Sequence, residues 1–212
     1  MTRIIFVRHG QSRGNLEQVF VGDADSPLTD LGVRQAELTA GYLAGCHIDA
    51  VYASDIPRAY QTGQKIAEKQ GLDVIKDTAF REIYAGKWSM RPYAELQRTY
   101  PDSYGKWLNN IGMAACDGGE SFEDVRVRAF ARANELARAN DGKTICVATH
   151  ATPIRSVICS IYGMTGDRAK DVPWVGNASV TVAEYEDGVW RLPVVNETSH
   201  LGDMHTEFGK GV

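Results

Sequence analysis

The chain has 212 residues, 43% of them hydrophobic and 24% charged, with a formal net charge of −4. That length suits a single domain with a substantial core, and the acidic balance, with no basic run, argues against nucleic acid as the main partner. No stretch approaches the roughly 18 apolar residues that would argue for a membrane span.

The first element opens almost at once, which leaves no room for a leader peptide. Cys46, Cys116, Cys146 and Cys159 form no CxxC pair. Reduced thiols in a cytoplasmic protein are expected, rather than disulfides or a zinc site.

Ile4-Ile5-Phe6-Val7 reads as a short buried strand of a parallel sheet. It runs straight into Arg8, His9 and Gly10, at the carboxyl end of the strand, where open α/β sheets bind ligands. Gly10 would let the backbone turn sharply and a ligand come close. Thr29 is placed to N-cap a helix whose apolar side is Leu31, Ala36, Leu38, Tyr42 and Leu43, with Gly45 as its stop. A second strand over 50–54 leads through Ser54-Asp55-Ile56-Pro57 into a helix that ends at Gly71, so Arg58 falls at an anion-friendly helix start.

Val74-Ile75-Lys76 reads as a third strand. Residues 84–119, rich in Gly, Trp and Tyr, read as a lid with short helices around 93–100 and 103–109. Trp88, Tyr93, Tyr100, Tyr104 and Trp107 are assigned to its packing. Ser121, with Asp124 in the capping-box position, opens a long helix with Phe122, Val125, Ala129, Leu136 and Ala137 inward. A strand over 143–149 delivers His150 to its end, and Thr152-Pro153 starts another helix. The tail alternates like an antiparallel pair turning at Asp187-Gly188 at a sheet edge. The expectation is a three-layer α/β/α fold. It has a mostly parallel sheet, an antiparallel edge and a helical lid insertion, in one domain over 1–212. The exposed edge suits either a monomer or a homodimer.

Arg8, His9, Arg58 and His150 therefore gather at strand ends and helix starts, with Glu82 as a fifth candidate. Two arginines offer planar forks that match phosphate oxygens. A histidine neutral at one nitrogen can attack phosphorus, and Glu82 can protonate a leaving alkoxide and then take a proton from water. His150 can donate to a phosphoryl oxygen. The scheme calls for no metal and no cofactor, and its partner is a small-molecule phosphate ester. Arg13, Arg91 and Arg155 are candidates for substrate contact, while His47, His200 and His205 are assigned to structure or surface. A rival lies in Gly10-Gln11-Ser12-Arg13-Gly14, which matches the G-x-S-x-G elbow of serine hydrolases with His150 or His200 as base. That reading has one strand upstream of the serine and leaves Arg8 and Arg58 without a task. A third reading is a non-catalytic phosphate-binding module.

Several motifs occur in order: Arg8-His9-Gly10-Gln11-Ser12 with Asn15, residues 27–32 with Gln35-Ala36, residues 54–59 with Gln61-Thr62, Arg81-Glu82, Gly119-Glu120-Ser121, and Thr149-His150-Ala151 with Ile154-Arg155. Together with 196–201 they closely resemble the histidine phosphatase superfamily, in the branch of cofactor-dependent phosphoglycerate mutases and related phosphatases. The resemblance implies His9 as a phosphorylated nucleophile, Glu82 as proton donor, and Arg8, Arg58 and His150 as the rest of the phosphate pocket. It adds Asn15, Gln11, Ser12 and Ala151 to the substrate-binding set. The chain departs from the family pattern at Gly14, at Thr62-Gly63 and at Ala151-Thr152, positions at the pocket entrance. The stretch from Glu82 to His150 is shorter than in the mutases, which favours hydrolysis over phosphoglycerate mutase activity.

Overall fold

The computed structural model describes residues 1–206. Strand β1 spans Thr2–Arg8. Successive strand side chains point to opposite faces, so Ile4 and Phe6 enter one core and Ile5 and Val7 the other. A single helical turn, α1 (Arg13–Leu16), and a two-residue strand, β2 (Val19–Phe20), come next. Then come α2 (Asp30–Leu43), β3 (Ala50–Ala53), α3 (Pro57–Gln70) and β4 (Val74–Lys76). Residues 84–119 hold β5 (Arg91–Pro92), α4 (Tyr93–Thr99) and α5 (Pro101–Asn109). The chain closes through α6 (Phe122–Ala139), β6 (Thr144–Thr149), α7 (Ala151–Ile161), β7 (Val180–Glu186) and β8 (Val189–Glu197).

The main sheet runs β4-β3-β6-β1-β7-β8. Its first four strands are parallel, β7 is antiparallel to β1, and β8 is antiparallel to β7. Helices α2 and α3 cover one face through Ala40, Leu43 and Ile66. Helices α6 and α7 cover the other through Ala129, Ala133, Ile154 and Val157. This is the expected three-layer α/β fold with an antiparallel edge. The Asp187-Gly188 turn has both φ values positive, at 50° and 83°, which the twist of a two-residue hairpin requires.

Local signals explain the element ends. Ser121 accepts from Asp124 N while the Asp124 side chain takes the Ser121 N–H, a complete capping box. Thr29 caps α2 by accepting from Gly32 N at 3.0 Å, and Gly71 ends α3 at φ 67°.

Three expectations fail in detail. The inward face of α2 is Gly32, Gln35, Ala36, Thr39, Ala40 and Leu43, with Leu38 37% and Tyr42 48% exposed. Small residues replace the large ones because this helix packs directly against backbone. A Cβ on Gly10 would lie 2.1 Å from Gly32 O, and one on Gly32 2.0 Å from Gln11 O. Gly10 thus admits a helix rather than a ligand. The helix also ends at Leu43 with Ala44, not Gly45, as its cap.

Residues 84–119 carry their own small core. Trp88 is fully buried and meets Phe20, Tyr104 and Trp107 edge-on, at ring-centroid distances of 5.4, 5.5 and 6.2 Å. Leu96, Cys116 and Val125 close the cluster. Strand β2 pairs with β5, which joins this segment to the loop after β1.

Candidate active site

The sheet register brings two histidines together. Arg8 pairs with Thr149 across β1 and β6, and His9 N donates to Thr149 O at 2.9 Å. His9 and His150 therefore leave adjacent strand ends, their ring centroids 5.2 Å apart and edge-on. Strand β3 lies on the other side of β6, so α3, which comes after it in the chain, brings Arg58 to the same place.

His9 is 3% exposed and fixed as to tautomer. Its Nδ1 lies 2.7 Å from Gly10 O, an acceptor, so the proton sits on Nδ1. Nε2 is left with a lone pair, and Arg58 Nε donates to it at 3.3 Å. Burial, then the charges of Arg58 and Arg8, push His9 well below the ordinary histidine value, so it is neutral. A neutral imidazole with a directed lone pair is a competent nucleophile.

The cations are held by carbonyls. Arg58 donates from Nη1 to Ala24 O at 2.8 Å and from Nη2 to Gly22 O at 2.6 Å. Arg8 donates to Val175 O at 2.6 Å, and its guanidinium lies 5.3 Å from the centroid of Trp174. Burial lowers both arginines to about 10, which leaves them charged at neutral pH. Arg8, His9, Ser12, Asn15, Arg58, Glu82, Ala151 and Arg155 all line one cleft, with Phe20, Tyr93, Trp107 and Trp174 as aromatic wall.

Glu82 is half-buried, and its Oε1 accepts from Ile83 N at 2.9 Å. Its loop is clamped from behind by Arg128, which donates to the carbonyls of Ala79, Arg81 and Glu82 at 2.8, 2.8 and 3.1 Å. Glu120 completes the clamp by accepting from Arg128 and from Tyr84 N. Asp55 and Arg81 pair at the near end of that loop.

His150 stands behind His9 rather than on the cleft wall. It is fully buried, with Nε2 2.9 Å from Ser54 Oγ, and burial, together with the charge of Arg58, keeps it neutral. Gln11 does not line the cleft either. Its Oε1 accepts from Thr29 Oγ1 at 2.8 Å and its backbone N–H donates to Gln35, so it braces α2. Ser12 is the N-cap of α1, with Oγ donating to Asn15 Oδ1 at 3.1 Å. The two candidate bases are engaged elsewhere, His150 with Ser54 and His200 with Thr39 at 2.9 Å. The geometry of a serine hydrolase elbow is not assembled. Of the three outlying arginines, Arg155 reaches the cleft, while Arg13 faces Glu17 and Arg91 binds Glu95.

Three contributors escape sequence reasoning. Trp174 lies in the connection between α7 and β7, which carries no local pattern. Asn177, in the same connection, donates to His9 O at 3.1 Å and to Asn15 Oδ1 at 3.2 Å. Arg128 sits on an outward stripe of α6 that reads as solvated surface. The motif Gly119-Glu120-Ser121 points to its partner alone.

The family model described as histidine phosphatase superfamily (branch 1) matches residues 4–198. Phosphoserine phosphatase 1 of Hydrogenobacter thermophilus is 32% identical over 213 positions, covering all of both chains. The structure of Bacillus stearothermophilus YhfR superposes with a TM-score of 0.90 at 25% identity, covering 95% of this chain and 100% of that one. A mycobacterial glucosyl-3-phosphoglycerate phosphatase gives 0.85 at 28% identity, over 92% and 99%. With the family model spanning most of the sequence and a relative matched end to end, the chain belongs to the histidine phosphatase superfamily.

Proposed function

We propose that the protein is a phosphatase of small-molecule phosphate monoesters and that His9 carries the phosphoryl group. The observation that carries this reading is the placement of the His9 ring, with Nδ1 2.7 Å from the acceptor Gly10 O and Nε2 3.3 Å from the donor Arg58 Nε, which assigns the proton to Nδ1 and the lone pair to Nε2. In the first step Nε2 attacks phosphorus, the ester P–O bond breaks, and Glu82 protonates the departing oxygen. In the second, water attacks the phosphohistidine, Glu82 takes its proton, and the P–N bond breaks to return neutral His9 and inorganic phosphate. Arg8 and Arg58 hold the equatorial oxygens through both steps with no reorganisation, since carbonyls fix them beforehand. His150 packs against the His9 ring, orients it, and supplies a neutral neighbour. Asn15, Ser12 and Ala151 bound the phosphoryl site.

The chain acts as one domain in which 84–119 is a lid over the cleft. The aromatic packing around Trp88 supports treating that segment as a rigid cover. The four unpaired thiols suit a reducing, cytoplasmic setting, and the edge strand β8 suits a monomer or a homodimer.

The test is hydrolysis of p-nitrophenyl phosphate. The wild type turns it over, orthovanadate inhibits, and EDTA has no effect. His9→Ala abolishes turnover and the acid-labile, base-stable 32P label on the chain. Full activity in His9→Ala, or labelling of Ser12 by a fluorophosphonate, overturns the reading. Conversion of 3-phosphoglycerate to its 2-isomer, faster than release of phosphate, would make the protein a mutase instead.

A further inference from the structure

One amide nitrogen ties the nucleophile to a second element of the cleft wall. Asn177 is fully buried, and its Nδ2 donates to His9 O at 3.1 Å and to Asn15 Oδ1 at 3.2 Å. An amide nitrogen carries two protons, so each acceptor takes one. His9 O is a carbonyl, which assigns the NH2 of Asn177 to that side. The backbone N–H of Ser12 lies 3.0 Å from Asn15 Oδ1, which assigns the oxygen of Asn15 in the same way. Ser12 Oγ also donates to that oxygen, so three donors hold it on its inner side. Asn15 lines the cleft, and Nδ2, on the other branch of its amide, is the donor left to meet an oxygen there.

The two Ser12 contacts are local. They close the first turn of α1, a helix of four residues that is too short to hold a position by itself. The Asn177 bond instead crosses 162 positions of sequence and refers that turn to the carbonyl of the residue that bears the nucleophile. The backbone beside it is strained. Ala178 sits at φ 54°, in the left-handed region that a side chain disfavours. In that conformation Ala178 N–H donates to His9 O at 3.1 Å, next to the Asn177 amide. Ala178 O lies 3.0 Å from Thr39 Oγ1 and 3.2 Å from His200 Nε2. Strain that its surroundings over-determine in this way marks a place where geometry outweighs stability.

We infer that Asn177 is a positioning residue that sets the distance between His9 Nε2 and the Nδ2 donor of Asn15, so that both meet the same phosphoryl group. The inference rests on the phosphatase reading for what occupies the cleft and goes beyond it in giving a task to a residue behind the cleft wall. The effect passes through Asn15. His9 O keeps the Ala178 N–H in any Asn177 variant, so the nucleophile's own carbonyl stays paired. Loss of Asn177 Nδ2 loosens the α1 turn instead, and a donor that drifts from the developing charge loses most of its value to the reaction.

The test is a double-mutant cycle between Asn177→Leu and Asn15→Ala. Leucine is close in volume to asparagine, and Asn15 Oδ1 keeps the Ser12 N–H, so neither acceptor is orphaned. Alone, Asn177→Leu should lower kcat/KM for p-nitrophenyl phosphate about tenfold, the scale of one hydrogen bond, and weaken inhibition by orthovanadate by the same factor. With Asn15→Ala already present it should cost less than about threefold in both. A merely structural role lowers activity equally in the two backgrounds, and that result, or wild-type activity in Asn177→Leu, overturns the inference. Should Asn177→Leu not fold, as read by circular dichroism, Asn177→Ser runs the same cycle, its shorter hydroxyl unable to span both acceptors. Calorimetric titration with inorganic phosphate repeats the cycle without turnover. Coupling of the two residues in phosphate binding, by a protein that hydrolyses no ester, would overturn the phosphatase reading and keep this one.

Discussion

Two imidazoles buried in their neutral form make the stability of this protein depend on pH in a definite direction. His9 and His150 are 3% and 0% exposed, and burial, together with the charge of Arg58, holds both well below the ordinary value of 6.5. In the unfolded chain each titrates near 6.5. Because the folded value is the lower one, the stabilisation is fully present above about pH 6.5 and drains away as the pH falls and the unfolded chain gains protons. Between pH 7.5 and 5.5 an unfolded histidine goes from about one-tenth to about nine-tenths protonated while the folded one stays neutral. Linkage then gives a loss of about 1.4 kcal/mol for each group, about 2.7 kcal/mol for the pair. For a domain of this size that is a fall of roughly 5–10 °C in Tm. His200, also lowered by burial, adds in the same direction. The carboxylates lowered by their partners, Asp55 and Glu120 among them, stay ionised over this window and contribute little. Urea unfolding monitored by circular dichroism at the two pH values, in buffer free of phosphate, measures the difference. His9→Gln should remove about half of it. A wild-type loss of only about 1.4 kcal/mol that His9→Gln leaves unchanged would mean that His9 is charged in the folded protein. The neutral nucleophile would then be wrong.

Particular contacts set three further outcomes. Glu82→Gln should slow hydrolysis of an alkyl phosphate by about 100-fold or more, the typical share of general acid catalysis, and that of p-nitrophenyl phosphate far less; equal losses on both would remove Glu82 as the acid. Gly32→Ala drives a methyl group to 2.0 Å from Gln11 O, and should cost about 1–3 kcal/mol in urea unfolding and lower kcat by displacing the loop that carries His9. Trp88→Ala empties the centre of the 84–119 cluster and should cost about 3–5 kcal/mol, or melt that segment alone at lower temperature, as read by hydrogen exchange.

The fold was legible because its signals are local. The run Ile4-Ile5-Phe6-Val7, the caps Thr29 and Ser121, Pro57 at a helix start and the Asp187-Gly188 turn each fix backbone geometry within a few residues. The side of α2 was not legible for the complementary reason. Its burial is decided by Gly10 and Gln11, in the loop after β1, whose backbone leaves room for Gly32 and nothing larger. Periodicity counts apolar residues, and here the packed stripe is mostly Gly, Ala, Thr and Gln, with Leu43 its one large apolar side chain.

The candidate site divides along the same line. Arg8, His9, Arg58 and His150 could be placed from strand ends, because parallel strands in register must deliver their next residues to one edge. Strand ends do not encode the support, which comes from connections and outward helix faces: Asn177 on the His9 carbonyl, Arg128 on the loop of Glu82, Trp174 beneath two guanidinium groups. The split is physical. A nucleophile needs a place, which topology supplies, whereas a tautomer, a carboxylate position and a charge spacing need partners that close long loops. His150 is the case where place and partner diverge. Its strand end is right, yet Ser54 holds its Nε2 and it lies behind His9 rather than on the cleft wall. Its contribution therefore passes through the His9 ring. Ser54→Ala, which frees that nitrogen, should change the pH dependence of turnover more than the affinity for phosphate.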